Sequence, residues 1–313
     1  MKISFITTIY NEAESIIPFL ESLVSQTKIP EEIIIVDGGS KDDTISLVKK
    51  FNFPKSKVKV VVKKGNRSVG RNEAIKQATG AIIVCSDAGN ILDKHWINNI
   101  VAPFKNKSVD VVSGYYEGKA ENALQKNLIP YVLVMPDKIN PNHFLPATRS
   151  VAFKKSVWEK VGHFDEILSH NEDYAFAKKL EKIGAKIVFA KDAIVYWLPR
   201  TTFKQTYIMF LRFAYGDAEA KLFRPKVLIL FLRYLLLLIL LVTFLLTKSF
   251  SILYSLFFIL IIYIIWAILK NYRYVKNISA FYYLPLLQFI ADFAVMNGTI
   301  SGLLGLWDTK KMS

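Results

Sequence analysis

The sequence predicts an α/β fold: a mostly parallel β-sheet covered by helices on both faces, followed by an amphipathic helix and two to three transmembrane helices. Short β-branched runs alternate with helical patterns over the first 115 residues, which is typical of repeated β-α units. These runs are apolar at nearly every position, as expected of strands buried on both faces. From about Val227 onward the chain contains apolar stretches too long for a soluble domain of this size to bury.

The first four predicted strands follow one another regularly, and each precedes a predicted helix. The strands are expected at the segments ISFITTI, EIIIV, VKVVV and AIIVCS. The helices that follow them are expected to end near Leu23, Val48, Ala78 and Phe104. Ser40, followed three residues later by Asp43, indicates the N-cap of the second helix.

The middle region, roughly Val109 to Trp197, mixes strands with longer loops. Its clearest helix is predicted from about Glu172 to Ile183, because Gly184 ends the helical pattern. The segment from Leu128 to Ala147 contains four prolines, so no regular element is predicted there.

Three regions are expected along the chain: an α/β domain, an amphipathic helix lying in the membrane interface, and a membrane region, at residues 1–200, 201–226 and 227–313. The middle region has apolar residues at helical spacing with basic residues between them, including Phe210, Leu211 and Ala214. An ordinary surface helix packed on the domain is the alternative for this segment.

Two spans are predicted, at about residues 227–247 and 250–269, because each is just long enough to cross a hydrocarbon core of roughly 30 Å. Arg233 lies close enough to the basic end of the first span to snorkel. Residues 281–306 contain Pro285 and Asp292, so this segment is either a third span or a re-entrant element.

The net charge of +15 is shared by both halves of the chain. Residues 1–200 contain 29 basic and 22 acidic residues, a net charge of +7, and residues 201–313 contain 12 and 4, a net charge of +8. The denser excess therefore accompanies the apolar segments, which favours anionic lipid headgroups as its partner. Since no DNA- or RNA-binding motif accompanies the charge, nucleic-acid binding is not expected.

The positive-inside rule predicts a multi-pass protein of the cell (plasma or inner) membrane with its N-terminal domain in the cytoplasm. Basic residues precede the first span and follow the second, whereas Lys248 is the only basic residue in the turn between them. Lys310 and Lys311 also favour the cytoplasmic side. Cys85 is the only cysteine, so an intrachain disulfide is impossible and a reducing compartment is expected. No signal peptide is predicted, because the apolar start leads directly into the polar NEAES.

Polar residues follow the predicted strands, where open α/β sheets bind ligands. Tyr10 and Glu12 follow the first strand, Asp37 and Gly39 the second, and Asp87 the fourth. An acid, a flexible glycine turn and a helix N-terminus at one point can hold a nucleotide, but a plain β-α turn explains Asp37 equally well. A carboxylate such as Asp87 at a strand end can bind a divalent cation or cap a turn.

Two further charged residues are candidates for chemistry. Arg71, in the segment KKGNRSVGRNEAIKQATG, can neutralise a diphosphate or belong to a solvated basic loop. Asp173 lies in the first turn of a predicted helix, where the helix dipole favours its ionised form. Such a carboxylate can act as a general base or only stabilise the helix.

Five motifs together resemble the family 2 glycosyltransferases, inverting enzymes with the GT-A fold. They are ITTIYNEAESI, IIIVDGGSKDDT, GRNEAIKQATGAIIVCSDAG, LPATRSVAFKKSVWEKVGHFDE and NEDYAFAKKLEKIG, in the family's order within roughly residues 1–220. The resemblance implies a GT-A glycosyltransferase domain at residues 1–200, a nucleotide-sugar donor, a Mg²⁺ or Mn²⁺ cofactor, and inversion at the sugar.

The resemblance also implies roles for individual residues. Asp173 would be the catalytic base, and Asp87 would serve the metal. Nucleotide contacts are implied for Thr8, Tyr10, Glu12, Asp37, Gly39, Arg71 and Asp87. Acceptor-side contacts are implied for Arg149, Ser150 and Glu172.

This sequence departs from the family pattern at two places. The family usually ends its fourth strand with Asp-x-Asp, and here Gly89 takes the place of the second acid. Asp87 then acts with diphosphate and water, or Asn90 or Asp93 contributes, or the metal dependence is weak. Many relatives also have a His near the end of the domain, where this sequence has Tyr196 and Trp197.

Other classes of function remain open. A processive polysaccharide synthase usually carries Gln-x-x-Arg-Trp, where this chain reads QTYIMFLRF. A dinucleotide-dependent oxidoreductase would have Gly-x-Gly-x-x-Gly after its first strand, and this chain reads TTIYNEAES. A non-catalytic membrane protein that only binds a nucleotide or a partner is the third alternative. The membrane segments suggest a lipid-linked or glycan acceptor, and the sequence predicts no oligomeric state.

Overall fold

The computed structural model describes residues 1–222 and 224–306, and Phe223, Lys310 and Lys311 lie outside this range. Eight strands are present in it: β1 (Ile3–Ile9), β2 (Glu32–Asp37), β3 (Lys57–Val62), β4 (Ile82–Cys85), β5 (Asn90–Leu92), β6 (Val111–Gly118), β7 (Val151–Lys154) and β8 (Ile187–Trp197). The α-helices are α1 (Ile16–Val24), α2 (Thr44–Lys50), α3 (Arg67–Gln77), α4 (Trp96–Val101), α5 (Ala123–Val132), α6 (Lys155–Val161), α7 (Glu172–Lys182), α8 (Phe203–Glu219), α9 (Pro225–Thr247), α10 (Phe250–Val275) and α11 (Ala280–Leu304).

The chain divides into two compact units. The sheet unit consists of residues 1–119 and 133–198, and the helix unit consists of residues 120–132 together with the described residues from Pro199 onward. Residues 120–132 lie inside the predicted 1–200 domain, yet they pack within the helix unit. The Tyr131 hydroxyl donates to the Leu284 carbonyl at 2.7 Å, and Asn127 Nδ2 donates to Ser279 Oγ at 3.0 Å.

The sheet unit contains one mixed sheet in the order β3-β2-β1-β4-β7-β6-β8-β5. Strands β3, β2, β1 and β4 are parallel, β7 is antiparallel to both of its neighbours, β6 and β8 are parallel, and β5 is antiparallel to β8. In this register Ile9 pairs with Asp37. The carboxyl ends of β1, β2 and β4 therefore lie at the same edge of the sheet.

The two faces of this sheet bury separate apolar cores, because successive side chains of a strand point to opposite faces. Phe5 lies in one core with Phe19 of α1 and Trp96 of α4. Ile6 lies in the other core with Ile75 of α3 and Phe176 of α7. Helices cover both faces, which confirms the predicted fold class.

Two local predictions are corrected by the structure. Helix α2 begins at Thr44 with Asp43 as its N-cap, because the Ser40 hydroxyl instead donates to Asp37 Oδ1 at 2.5 Å. The proline-rich segment contains the end of α5, with Pro130 inside the helix, and two short 3₁₀ turns at Pro136–Lys138 and Pro141–His143.

Helices α9, α10 and α11 have 23, 26 and 25 residues and are long and apolar enough to cross a membrane. At about 1.5 Å per residue each exceeds the roughly 30 Å of a hydrocarbon core. Helix α11 is continuous from Ala280 to Leu304 despite Pro285. The described part of the predicted 281–306 element therefore contains no reversal of the chain, as a re-entrant segment would require.

Helix α8 packs closely along α11. A side-chain carbon added at Gly298 would lie 2.3 Å from the Leu211 carbonyl oxygen, and one added at Gly302 would lie 2.8 Å from that of Tyr215. The apolar residues Phe210, Leu211 and Ala214 are buried. The predicted position of residues 201–226 in the membrane interface stays a prediction, and in this structure these three side chains contact protein.

A polar cluster joins α9, α10 and α11. The buried Asp292 carboxylate accepts hydrogen bonds from Arg233 Nη2 at 3.0 Å, from Gln288 Nε2 at 2.9 Å, and from the hydroxyls of Tyr234 and Tyr263. This arrangement corrects the prediction that Arg233 snorkels to the basic end of its span, because its guanidinium pairs with Asp292.

Candidate active site

Arg71 joins two elements that are far apart in the sequence. Its side chain is 1% exposed, and it donates from Nη2 to Asp87 Oδ1 at 2.7 Å and from Nη1 to Glu172 Oε1 at 2.5 Å. Asp87 follows β4 and Glu172 begins α7, whose second residue is Asp173. One buried guanidinium therefore positions the loop after β4 against the N-terminus of α7.

The three carboxyl groups of this network have unequal proton affinities. Burial alone would raise the pKa of Asp87 and of Glu172, but Arg71, assisted by Arg67, lowers the pKa of both. Burial raises the pKa of Asp173, and the neighbouring Glu172 raises it further, whereas Arg71 opposes this shift. The predicted effect of the helix dipole on Asp173 is therefore outweighed, and this carboxylate binds a proton more readily than an exposed aspartate.

The turn after β2 lies at the carboxyl edge of the sheet. The buried Asp37 carboxylate accepts from the backbone N–H groups of Gly39 and Ser40 at 2.9 and 3.0 Å. These bonds fit the reading of Asp37 as a turn residue, since its carboxylate orders the glycine turn. Gly39 has a φ of +99°, a conformation that favours glycine.

The end of β1 lies beside this turn, because β1 and β2 are neighbouring strands. Tyr10 is 37% exposed, and its ring lies 3.5 Å from the position that a side-chain carbon at Gly38 would occupy. The backbone of Gly38 lies close to the Tyr10 ring, so a side chain at this position would fill the space beside that ring. An exposed aromatic ring beside a glycine turn is suited to contact a planar base.

Thr8 and Glu12, which the family resemblance also assigned to the nucleotide, contact different elements. The Thr8 side chain packs on α3, where a carbon added at Gly70 would lie 2.7 Å from Thr8 Cγ2. Glu12 accepts from the Ser15 hydroxyl, and its Oε2 lies 3.5 Å from the position of a carbon added at Gly89. Glu12 therefore lies between the end of β1 and the loop after β4.

The three predicted acceptor-side residues have different surroundings. Ser150 is 1% exposed and is hydrogen-bonded to Trp96 Nε1 and to the Ala193 carbonyl, so it belongs to the core. Glu172 is engaged by Arg71. Only Arg149 is partly exposed, with its guanidinium 5.5 Å from the centre of the Tyr116 ring and 5.2 Å from that of Trp197.

Arg67 is a residue of this site that the sequence interpretation missed. It is exposed and is the first residue of α3, after the N-cap Asn66. A cation at this position opposes the helix dipole, which would have been the signal for a functional role. Its positive charge acts on both Asp87 and Glu172.

The donor set fits the predicted divalent cation poorly. Among the described residues, no group of three or more His, Cys, Asp and Glu side chains could hold a metal ion. Asp87 Oδ1 is bound by Arg71, and its Oδ2 lies 3.4 Å from the Thr148 hydroxyl. Asn90 is buried with its amide toward Ser86, and Asp93 accepts from the His95 backbone. Neither supplies a ligand in place of Gly89.

The sheet order and the acidic cluster at its carboxyl edge define a glycosyltransferase of the GT-A type. The sequence model of "Glycosyl transferase family 2" matches residues 4–162, about half of the chain, and that of "Glycosyl transferase family group 2" matches residues 130–270. The chain therefore belongs to glycosyltransferase family 2, as its five motifs predicted.

Curated relatives include the glycosyltransferase AglE of Haloferax volcanii, 27% identical over 199 residues, or 61% of this chain and 65% of the relative. The poly-beta-1,6-N-acetyl-D-glucosamine synthase of Staphylococcus epidermidis is 27% identical over 230 residues, or 70% of this chain and 55% of the relative. The chain thus spans less than two thirds of the length of these relatives.

Two solved structures share the fold. The mannosyltransferase PcManGT from Pyrobaculum calidifontis, in complex with GDP-Man and Mn²⁺, has a TM-score of 0.66 and 17% identity, covering 98% of this chain and 88% of that one. S. aureus TarS in complex with UDP-GlcNAc has a TM-score of 0.53 and 20% identity, covering 68% and 66%.

Proposed function

We propose that this chain is a membrane-anchored, inverting glycosyltransferase that transfers a sugar from a UDP- or GDP-sugar to a hydroxyl acceptor. The observation that carries the proposal is the Arg71 network, which joins Asp87 to Glu172 and so fixes the N-terminus of α7, with Asp173, against the loop after β4. Membership of family 2 supports the same reaction class.

In the proposed donor site, the Tyr10 ring contacts the base, and the turn at Gly38 and Gly39 lets the backbone approach the nucleotide. Asp37 orders this turn through bonds to Gly39 and Ser40. Arg71 is assigned as a positioning residue, because both of its Nη groups are bound to carboxylates. Its predicted direct contact with the diphosphate stays a prediction.

The proposed reaction is a single displacement. The Asp173 carboxylate accepts the proton of the acceptor hydroxyl while that oxygen forms a bond to the anomeric carbon. The bond from this carbon to the diphosphate oxygen breaks on the opposite face, its electron pair stays with the diphosphate, and the configuration inverts. The raised pKa of Asp173 makes it a stronger base than an exposed aspartate.

A Mg²⁺ or Mn²⁺ ion, if bound, would supply charge neutralisation to a leaving diphosphate. This cofactor is the prediction that the resemblance implies, and the mannosyltransferase neighbour binds Mn²⁺. Asp87 is the residue assigned to it, and the steps above do not depend on it.

The pH dependence of transfer should report the environment of Asp173. We expect kcat/KM to fall at acidic pH, because protonated Asp173 cannot act as a base. Since the pKa of Asp173 is raised, the fall should begin at a higher pH than the usual pKa of an aspartate would give. Glu172→Gln should move this acidic limb to lower pH, because it removes the negative charge that raises the pKa of Asp173. Glu181→Gln, in an exposed ion pair on the same helix, is the matched control and should leave the limb in place. An unshifted limb in Glu172→Gln would contradict the assignment of Asp173.

The membrane setting is also part of the proposal. Three apolar helices support a multi-pass protein, and the basic residues at 270–276 support a plasma or inner membrane position with the sheet unit in the cytoplasm. A lipid-linked saccharide in cell-envelope glycan synthesis or protein glycosylation suits an enzyme held at that surface.

The test is transfer by the full chain in membranes from a panel of UDP- and GDP-sugars, with and without Mg²⁺ or Mn²⁺. Release of UDP or GDP from one donor in the presence of membrane lipid extract would support the proposal. An absence of both release and donor binding across the panel would favour a non-catalytic binding protein.

A processive polysaccharide synthase is the second candidate, and the poly-beta-1,6-N-acetyl-D-glucosamine synthase relative favours it. The same reactions distinguish the two functions by product size. A single added sugar supports the non-processive transferase, and a ladder of long products supports the synthase.

A further inference from the structure

The charge balance around Asp87 differs from that of a site built to hold a metal ion. Gly89 removes the second acid of the family pattern, and Arg71 occupies one oxygen of the acid that remains. Glu12, the acid next to Gly89, accepts a hydrogen bond from Ser15. A leaving diphosphate still needs positive charge beside it, because negative charge develops on the diphosphate as it leaves the sugar.

Arg149 is one cation available for this purpose. Its guanidinium lies within 5.5 Å of the ring centres of both Tyr116 and Trp197, and no described carboxylate forms a salt bridge with it. The segment that carries it is fixed, since Ser86 Oγ donates to the Arg149 carbonyl at 2.8 Å. Arginine in contact with the faces of aromatic rings keeps its N–H donors available for a planar, bidentate contact with phosphate.

Arg67 is the second cation, and it begins the 11-residue helix α3. The start of this helix is fixed, because Asn66 caps it and donates from Nδ2 to the carbonyls of Glu166 and Leu168 at 2.7 and 3.0 Å. Arginine and the helix dipole here both attract an anion. Arg67 lies one helical turn before Arg71 on α3, and Arg71 contacts Asp87 Oδ1 at 2.7 Å. Thr148, the residue before Arg149, lies 3.4 Å from Asp87 Oδ2, so the segments that carry Arg67 and Arg149 both reach the loop after β4.

Resting on the proposed function, we propose that Arg67 and Arg149 together bind the donor diphosphate and supply the positive charge that its departure requires, so that donor binding depends little on a divalent cation. This assignment moves Arg149 from the acceptor side to the diphosphate. Each guanidinium offers five N–H donors, enough for bidentate contacts to both phosphates.

The test is calorimetric binding of UDP and of GDP to the full chain in nanodiscs, in EDTA and in excess Mn²⁺. In EDTA, Arg149→Gln and Arg67→Gln should each weaken binding about 10- to 100-fold, the usual effect of losing hydrogen bonds to a charged group. Lys191→Gln, an exposed residue on β8, is the matched control and should leave binding unchanged. The proposal is overturned if EDTA weakens wild-type binding more than either arginine substitution does.

A second pair of variants tests the role of Gly89. Gly89→Asp restores the missing carboxylate, and Gly89→Asn has the same size and meets the same φ of +86° without the charge. The Asp variant should bind nucleotide more tightly in Mn²⁺ than in EDTA, and the Asn variant should not. Equal responses of the two variants to Mn²⁺ would overturn the link between Gly89 and metal independence. No binding of UDP or GDP in either condition would instead overturn the proposed function, and this inference with it.

Discussion

Asp173→Asn is expected to abolish sugar transfer while leaving donor binding intact. An amide cannot accept the acceptor proton, and loss of a general base lowers rates by about 10²- to 10⁴-fold. The fold should tolerate the change, because the Asn oxygen can still accept the Tyr174 backbone N–H that Asp173 Oδ1 accepts at 2.8 Å. The measurement is the rate of UDP or GDP release with acceptor present, together with the dissociation constant for the nucleotide.

The matched control is Asp192→Asn, at an exposed position of β8. It makes the same chemical change in the sheet unit and should leave the rate unaltered. Transfer at the wild-type rate by Asp173→Asn would remove the base from the mechanism and favour a binding protein.

Arg71→Met is expected to destabilise the sheet unit and to abolish sugar transfer. The substitution leaves Glu172 buried and Asp87 two-thirds buried without their shared partner. Removing one partner of a buried ion pair costs about 3–5 kcal/mol, and the exposure of Asp87 favours the lower end of this range. The measurement is the thermal unfolding midpoint of the detergent-solubilised chain.

Two comparisons separate this effect from a general loss of charge. Lys178→Met breaks an exposed ion pair with Glu181, and it should change the unfolding free energy by about 1 kcal/mol or less. The triple variant Arg71→Met with Asp87→Asn and Glu172→Gln should regain much of the stability but no activity. If the triple variant is as unstable as Arg71→Met alone, unpaired charge is not the cause.

The strands and the helix-covered sheet were predictable because their signals are local. EIIIV is apolar at consecutive positions, and this local pattern is enough to predict a strand that is buried on both faces. The place of Asp87 and Asp37 at one sheet edge follows from the parallel order alone. Family motifs supplied the rest of the prediction, including the base.

The partners of Arg71 were not predictable, because they lie 16 and 101 residues away in the sequence. Its sequence neighbourhood is a basic, glycine-containing segment, which suggested a phosphate contact. The three-dimensional structure surrounds it with two acids instead. The surroundings of Ser150 were not predictable for a similar reason, since its hydrogen bonds to Trp96 and Ala193 join it to other elements.

The pair of Arg233 and Asp292 has a consequence for how the helices enter the membrane during synthesis. An arginine inside a lone span raises the free energy of insertion, by about 2.5–3.5 kcal/mol at the centre of the span and by less toward its end. Its neutralising carboxylate lies 59 residues later, on α11. Helix α9 is therefore synthesised before Asp292, the residue that neutralises the charge of Arg233. A chain truncated before Ala280 would keep two apolar spans yet expose the guanidinium of Arg233 to lipid without its carboxylate partner, so α11 supplies the charge that neutralises α9.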